Sequence, residues 1–308
     1  MDSTKVAVVQ AASVLFDSKA SLEKAETYIQ QASGEEADMV LFPEAFLGGY
    51  PRGLSFGTKV GSRSKEGRSL FRRYFEQAIS PTDQISVRLA QLAKKYNIFI
   101  AMGVIEQDGG SLYCSIFYYH KNGQYVGKHR KIKPTASERY IWAEGDGSTL
   151  TTFKTEKFTT GGLICWENYM PTARMAMYGK NIEIYLAPTA DQRDSWINSM
   201  QHIANEGRCF VLSANQFVSR TMYPESLQAE LKNEKEIMSR GGSMIVSPMG
   251  EIIAGPLFNK EGMLTATLHP EQLIESKMDL DVNGHYSRPD IFNFTAKNLP
   301  ETLDLSSK

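Results

Sequence analysis

Cysteine is scarce in this chain: three residues, Cys114, Cys165 and Cys209, among 308. An odd, scattered set does not make a disulfide framework, and without a CxxC pair a zinc ribbon has nothing to start from. Long apolar runs are missing as well. The longest, such as IFIAMGVI at 98–105, fall far short of the roughly 20 residues that a bilayer crossing takes. Charge of one sign is not in excess either: 34 Lys and Arg against 35 Asp and Glu leave a net charge of -1, with no general pull toward nucleic acid or acidic membranes. The first ten residues, MDSTKVAVVQ, carry neither the basic start nor the apolar stretch of a signal peptide. P-loop, G-x-G-x-x-G and H-E-x-x-H motifs do not occur, so nucleotide-binding and zinc-protease readings have no anchor. These absences lead us to expect a cytoplasmic protein that uses neither nucleic acid nor a membrane as partner.

What is present is a globular composition, 42% apolar and 22% charged, with strand and helix patterns in alternation. VAVVQ reads as a buried strand, Leu22, Ala25, Ile29 and Ala32 recur at helical spacing, and MVLF follows as a second strand. The order returns after 80, where Ser80 and Pro81 suggest a helix start, Ile85, Leu89, Leu92, Ala93 and Tyr96 form an apolar face, and IFIAMGV is the next strand. Asn122-Gly123 marks a hairpin between SLYCSIFYYH and YVGKHRK. From 161 onward come a strand to Cys165, a helix to about Tyr178, the strand IEIYLAPT, a helix over 193–206 and the strand CFVLSANQ. A hairpin at SPMGEI and the strand MLTATL complete the series. Mixed strand directions interleaved with helices predict an α/β sheet system. Two stretches stand apart: 52–73, with seven Lys or Arg against one Glu, and the polar 218–240. Both read as solvated excursions or subunit contacts.

Chemistry is concentrated in few places. Gly53-Leu54-Ser55-Phe56-Gly57 fits the nucleophile elbow of serine hydrolases, but that motif needs a strand directly before the serine, and GGYPR precedes it here. Cys114 and Cys209 read as packed core thiols. Cys165 differs. It ends an apolar run, follows Gly161 and Gly162, and precedes a helix, so a nearby backbone N–H could stabilise a thiolate. None of the five histidines lies in a short motif that would make it the base for this thiol, although one brought close by the fold stays open. Glu44, in MVLFPEAFLGGY, follows a buried strand and is a second candidate base, since burial raises a carboxyl pKa. In KHRKIKPTASER, strand alternation would put Lys131 and Lys133 on one face and Arg130 and Ile132 on the other, and spacing does not choose between the lysines.

Taken together, LFPEAFLGGYPRG, KHRKIKPTASERYIWAEGDGS and GGLICWENYMPTARMAMY resemble the nitrilase branch of the carbon–nitrogen hydrolases, in order and spacing, along nearly the whole chain. The resemblance implies a four-layer αββα sandwich in one domain over 1–295, with a short polar tail at 296–308. It places Glu44 as general base, Lys131 as catalytic lysine, Cys165 as nucleophile and Glu138 as an assisting acid. Tyr50, Trp142, Trp166 and Pro188 would line the substrate pocket. The implied reaction is hydrolysis of an organic nitrile to acid and ammonia through a thioimidate and a thioester, with no cofactor or metal, in a homodimer or larger assembly. An amidase, a carbamoyl hydrolase or a nitrile-hydrating relative is the alternative, and Trp166 after the cysteine favours the nitrile branch. Cys165→Ala and Lys131→Ala are expected to abolish turnover and leave the fold intact.

Overall fold

The computed structural model describes residues 3–155 and 157–306. Its helices are α1 (Ser18–Gly34), α2 (Lys65–Phe75), α3 (Gln84–Lys95), α4 (Pro171–Tyr178), α5 (Asp194–Gly207) and α6 (Glu271–Lys277). Asp17 starts α1 by accepting the Ala20 N–H at 2.9 Å, and Ala25, Ile29 and Ala32 form its buried stripe. The expected start of the next helix at Ser80-Pro81 is displaced to Gln84. Asp83 is a stronger cap: its carboxylate accepts the N–H of Ser86 at 2.8 Å and that of Ser80 at 2.6 Å, holding Ser80 in the turn before α3.

Helices α1 and α3 cover the outer face of a six-stranded sheet. Its order is Gly262–Leu268, Thr4–Gln10, Met39–Leu41, Phe99–Asp108, Ser111–Tyr119, Tyr125–Arg130. The last pair is the hairpin expected at Asn122-Gly123, with Gly123 at φ +90°. The second sheet runs Phe217–Ser219, Ile237–Val246, Phe210–Ser213, Ile184–Leu186, Thr159–Gly162, Thr152–Lys154, Leu303–Asp304, with Ile252–Phe258 paired to Ile237–Val246. Helices α4 and α5 pack on its outer face through Ala173, Met177, Trp196, Met200 and Ile203. Between the sheets lies a common core in which Val8, Leu41 and Ile116 of one meet Ile184, Leu186 and Phe210 of the other. Phe99 and Phe153 stack across it with ring centroids 4.9 Å apart. Helix, sheet, sheet, helix is the αββα sandwich.

The C-terminal stretch packs back onto this body. Leu303–Asp304 pairs in parallel with Thr152–Lys154, and Leu305 is buried. Residues 307 and 308 of the expected tail lie outside the described residues. The two excursions at 52–73 and 218–240 pack on each other: Leu54 and Leu70 lie against a buried cluster that includes Tyr223, Leu227, Leu231 and Met238. Ser55, of the apparent elbow, sits exposed in this contact with its hydroxyl and N–H both donating to Glu230 Oε1 at 2.8 Å.

Strand directions decide where the chemistry gathers. Met39–Leu41 is parallel to Phe99–Asp108, and two antiparallel steps later Tyr125–Arg130 runs the same way again. Glu44 and Lys131 therefore both lie just past carboxyl ends on one edge of the sheet, where α/β folds place ligand sites. Two glycines permit the close approaches this needs. A Cβ at Gly103 would sit 1.9 Å from the Pro43 carbonyl oxygen, one residue before Glu44, and a Cβ at Gly162 would sit 1.9 Å from that of Leu186.

Candidate active site

Glu44 follows Pro43 at the end of Met39–Leu41, and the backbone then turns through Ala45 at φ +52°. Gln216 secures this turn by donating from Nε2 to the Glu44 carbonyl at 2.9 Å. The strand Tyr125–Arg130 ends one residue before Lys131, whose N–H still donates to the Cys114 carbonyl at 2.8 Å. The alternation expected for 130–133 is therefore not realised. Lys131 is buried, whereas Lys133 is exposed and paired with Glu144. Cys165 comes three residues after Thr159–Gly162, at φ +52°, a conformation that is strained for a side chain with a Cβ. Its N–H donates to the Pro188 carbonyl at 2.9 Å, which holds the turn.

These three strand ends bring the expected side chains together. The Lys131 ammonium donates to Glu44 Oε1 at 2.7 Å and to Glu138 Oε2 at 2.8 Å. Glu138 is fixed in turn: Oε2 also accepts the Thr135 N–H at 2.6 Å and Oε1 accepts the Tyr50 hydroxyl at 2.7 Å. Glu44 Oε2 is buried and has no hydrogen-bond partner among the described residues. Cys165 lies close enough that it and Glu44 shift each other's ionisation. No histidine hydrogen-bonds Cys165 among the described residues, which leaves Glu44 as the base candidate at hand.

The electrostatics follow from burial and mutual charge. Burial raises the Glu44 carboxyl above its ordinary value, Lys131 opposes that, and Glu138 adds to it. Burial works against the Lys131 ammonium, but Glu44, Cys165 and Glu138 outweigh it and hold the ammonium charged well beyond the usual lysine range. The Cys165 thiol is pushed up by burial and by both carboxylates, against the pull of Lys131 and of a hydrogen bond from Thr189. The resting site thus favours a neutral thiol beside a carboxylate and a permanent cation.

Cys165 opens on a cleft of about 340 Å³ lined by Tyr50, Arg52, Glu138, Trp166 and Asp191. A neighbouring cleft of about 460 Å³ shares Tyr50, Arg52 and Glu138 and adds Trp142. Tyr50 and Trp142 meet edge to face at 5.7 Å, and the Lys131 ammonium is 5.7 Å from the Trp142 ring centroid. Trp166, 40% exposed, stands at the mouth; its Nε1 donates to Asp191 Oδ2 at 2.9 Å, and the Arg193 guanidinium covers its ring at 4.7 Å. Pro188 does not share this placement. It is buried and lines neither cleft, and its part in the geometry is the carbonyl that receives the Cys165 N–H.

Several contacts had no signal in the sequence. Thr189 donates to Cys165 Sγ at 3.1 Å, and the Cys114 thiol reaches Glu44 Oε1 at 3.6 Å, although Cys114 reads as an ordinary core thiol. Glu167 ties two of the segments together: its carboxylate accepts the N–H of Ile132 at 2.6 Å, that of Ile164 at 2.7 Å, and pairs with His129 at 2.9 Å. A carboxylate two residues after Cys165 was visible, but its target 35 residues earlier was not. The described residues contain no group of three or more His, Cys, Asp or Glu side chains arranged to hold a metal ion, and no helix long and apolar enough to cross a membrane.

The carbon–nitrogen hydrolase family model matches residues 5–278. Nitrilase 3 of Arabidopsis thaliana is 48% identical over 303 residues, covering 96% of this chain and 88% of that protein. An aliphatic nitrilase of Sinorhizobium fredii is 46% identical over 303 residues, covering 98% of each. A bifunctional nitrilase/nitrile hydratase of Lupinus angustifolius is 46% identical over 302 residues, covering 96% and 86%. Among solved structures, Nit3 of Saccharomyces cerevisiae superposes with a TM-score of 0.72 at 23% identity over 93% of this chain and 97% of that one. An amidase of Nesterenkonia sp. superposes at 0.69 and 19%, covering 90% and 94%; both share the sandwich. With the family model spanning the sandwich and nitrilases nearly half identical along almost its whole length, the chain belongs to the carbon–nitrogen hydrolase family, in its nitrilase branch.

Proposed function

We propose that the protein hydrolyses an organic nitrile to the carboxylic acid and ammonia, with Cys165 as nucleophile, Glu44 as general base, and Lys131 and Glu138 as their electrostatic partners. The observation that carries this reading is the division of labour on Glu44. One oxygen is held by Lys131, the other is buried with no hydrogen-bond partner among the described residues, and the carboxyl lies close enough to Cys165 for the two to shift each other's ionisation.

The chemistry runs through that free oxygen. Glu44 accepts the thiol proton as sulfur attacks the nitrile carbon, and the proton passes to nitrogen, giving a thioimidate. Lys131, kept charged by two carboxylates, supports the negative charge that develops on nitrogen. The backbone N–H of Trp166, next to Cys165 in the chain, is a second donor for the charge that develops at the attacked group. Glu44 next takes a proton from water as it adds to the thioimidate carbon. Nitrogen leaves as ammonia, the carbonyl re-forms as a thioester, and a second water releases the acid and returns the proton to sulfur. Two waters are consumed per nitrile, and no electron changes hands.

The raised ionisation of the buried groups sets an expected pH profile. Catalysis needs Glu44 ionised, so kcat/KM falls as pH drops through its value, and the acid limb lies above the ordinary 4.5. On the basic side both Cys165 and Lys131 are displaced upward, so activity persists past the ordinary thiol value of 9.0. An acid limb at or below 4.5 would contradict the assignment of Glu44 as a buried base. Ammonia release from a panel of nitriles, set beside the matching amides, tests the reaction itself; preferential turnover of the amides would favour an amidase.

We also infer a homodimer or larger assembly, supported by Met278, Tyr286, Ile291 and Phe292, which the single subunit leaves exposed along one C-terminal segment. Light scattering in solution should give a mass of at least twice 34.5 kDa, and a monomer would contradict it.

A further inference from the structure

Thr189 is three residues past the end of Ile184–Leu186 and is fully buried. Its hydroxyl has two partners of opposite kind. Oγ1 accepts the Asp191 N–H at 2.9 Å and donates to Cys165 Sγ at 3.1 Å. Accepting from the amide uses one lone pair and orients the hydroxyl so that its proton points to sulfur. The backbone fixes donor and sulfur relative to each other: the Thr189 N–H is held by the Ala214 carbonyl at 2.9 Å, while the Cys165 N–H is held by the adjacent Pro188 carbonyl at 2.9 Å. Among the described residues no other hydrogen bond to Cys165 Sγ is made.

We propose that Thr189 is a catalytic residue whose hydroxyl stabilises the Cys165 sulfur whenever it bears negative charge. Resting on the nitrile-hydrolysis reading, this adds a control over product. The groups that face the sulfur act in both directions. Glu44 and Glu138 disfavour a thiolate, Lys131 favours it, Arg193 acts from the mouth, and Tyr50 and Cys114 are the remaining titratable neighbours. A neutral donor assists the thiolate without adding a charge that would weaken Glu44 as a base.

The consequence appears at the tetrahedral intermediate formed when water adds to the thioimidate. Breaking C–N releases ammonia and leaves the thioester. Breaking C–S instead sends the electron pair to sulfur and releases the amide. A donor on sulfur assists the second route, so Thr189 raises the amide share of the products. Thr189 keeps its own proton throughout.

Thr189→Val keeps the shape and deletes the donor; Thr189→Ser keeps the donor. For the valine variant, alkylation of Cys165 by iodoacetamide, followed on the Cys165 peptide between about pH 7 and 10, should slow about tenfold, the scale of one hydrogen bond to a charged atom. Its kcat should fall by about tenfold with KM changed less than about twofold, and its amide fraction should fall. The serine variant should stay within about threefold of the parent in each respect. If the valine variant does not fold, Thr189→Ala supplies the same comparison. Loss of the bond to Asp191 alone would lower thermal stability without changing the acid-to-amide ratio. Alkylation as fast as in the parent, a serine variant as impaired as valine, or an amide fraction that is unchanged or higher in the valine variant would overturn the role of Thr189. The alkylation arm needs no nitrile, so its failure stands apart from a failure of the parent protein to turn over nitriles, which would overturn the underlying reading.

Discussion

Cys165→Ala is expected to lose nitrile turnover by about 10⁴-fold or more while melting within a few degrees of the parent protein. The kinetic half of this expectation rests on covalent chemistry: without sulfur neither thioimidate nor thioester forms, and the remaining Lys131 and Glu44 can only assist a direct attack by water. The structural half rests on how Cys165 is held. Its backbone position is fixed by the bond to the Pro188 carbonyl, and among the described residues the one side-chain hydrogen bond it loses is that from Thr189, whose hydroxyl keeps its bond to Asp191. Removing one buried sulfur leaves a small cavity, at a cost of about 1 kcal/mol. Ammonia release and a thermal melt on the same preparation check both halves. Turnover above about a hundredth of the parent rate would remove covalent catalysis from the account.

Lys131→Met carries the second large effect, and here the structure changes the expectation formed from sequence that replacing Lys131 leaves the fold intact. The Lys131 ammonium is wholly buried between Glu44, also wholly buried, and Glu138. Methionine matches its length but leaves Glu44 without its counter-charge, and breaking such a pair costs about 3–5 kcal/mol while the carboxylate stays ionised. The sign of the pH dependence follows. Glu44 already has a raised value in the folded state, and losing Lys131 raises it further. The variant is therefore least impaired below the ordinary 4.5, where Glu44 is protonated folded and unfolded alike, and it loses stability as pH rises from there toward the folded-state value. Melting temperatures at pH 5 and pH 8 should show the deficit widening at pH 8, with turnover lost at both. An equal deficit at the two pH values would mean that the lysine does not balance Glu44.

The same contrast between local and distant information separates what could be read in the chain from what could not. The α/β sheet system was legible because its strands are short apolar runs punctuated by strong turn signals such as Asn122-Gly123, and because α1 and α3 each carry one clean apolar face; its four-layer arrangement came from the resemblance. The start of α3 was misplaced because Asp83, a carboxylate able to accept two backbone N–H groups, outcompetes the Ser80-Pro81 signal. Glu44 and Cys165 could be singled out from their own segments, whereas Lys131 and Glu138 were assigned through the resemblance of the three segments together. Which lysine faces the cluster could not be decided from alternation, since the strand stops at Arg130. Thr189, Glu167 and Cys114 were beyond reach for another reason: each acts on a partner far away in sequence, brought near by strand order within one sheet for Thr189 and Cys114 and by the packing of the two sheets for Glu167. Pro188 was chosen for its ring and is placed instead through its carbonyl.

The central claim is that sulfur carries the acyl group between the loss of ammonia and the release of acid. It is tested most directly by mixing the protein with a nitrile it turns over, quenching in acid during the steady state, and mapping the adduct by mass spectrometry. The account predicts an acyl group, with carbonyl oxygen in place of the nitrile nitrogen, on the peptide that contains Cys165 and on no other, and its disappearance in Cys165→Ala. Turnover that proceeds with that peptide unmodified, or an adduct that maps to Cys114, would contradict it.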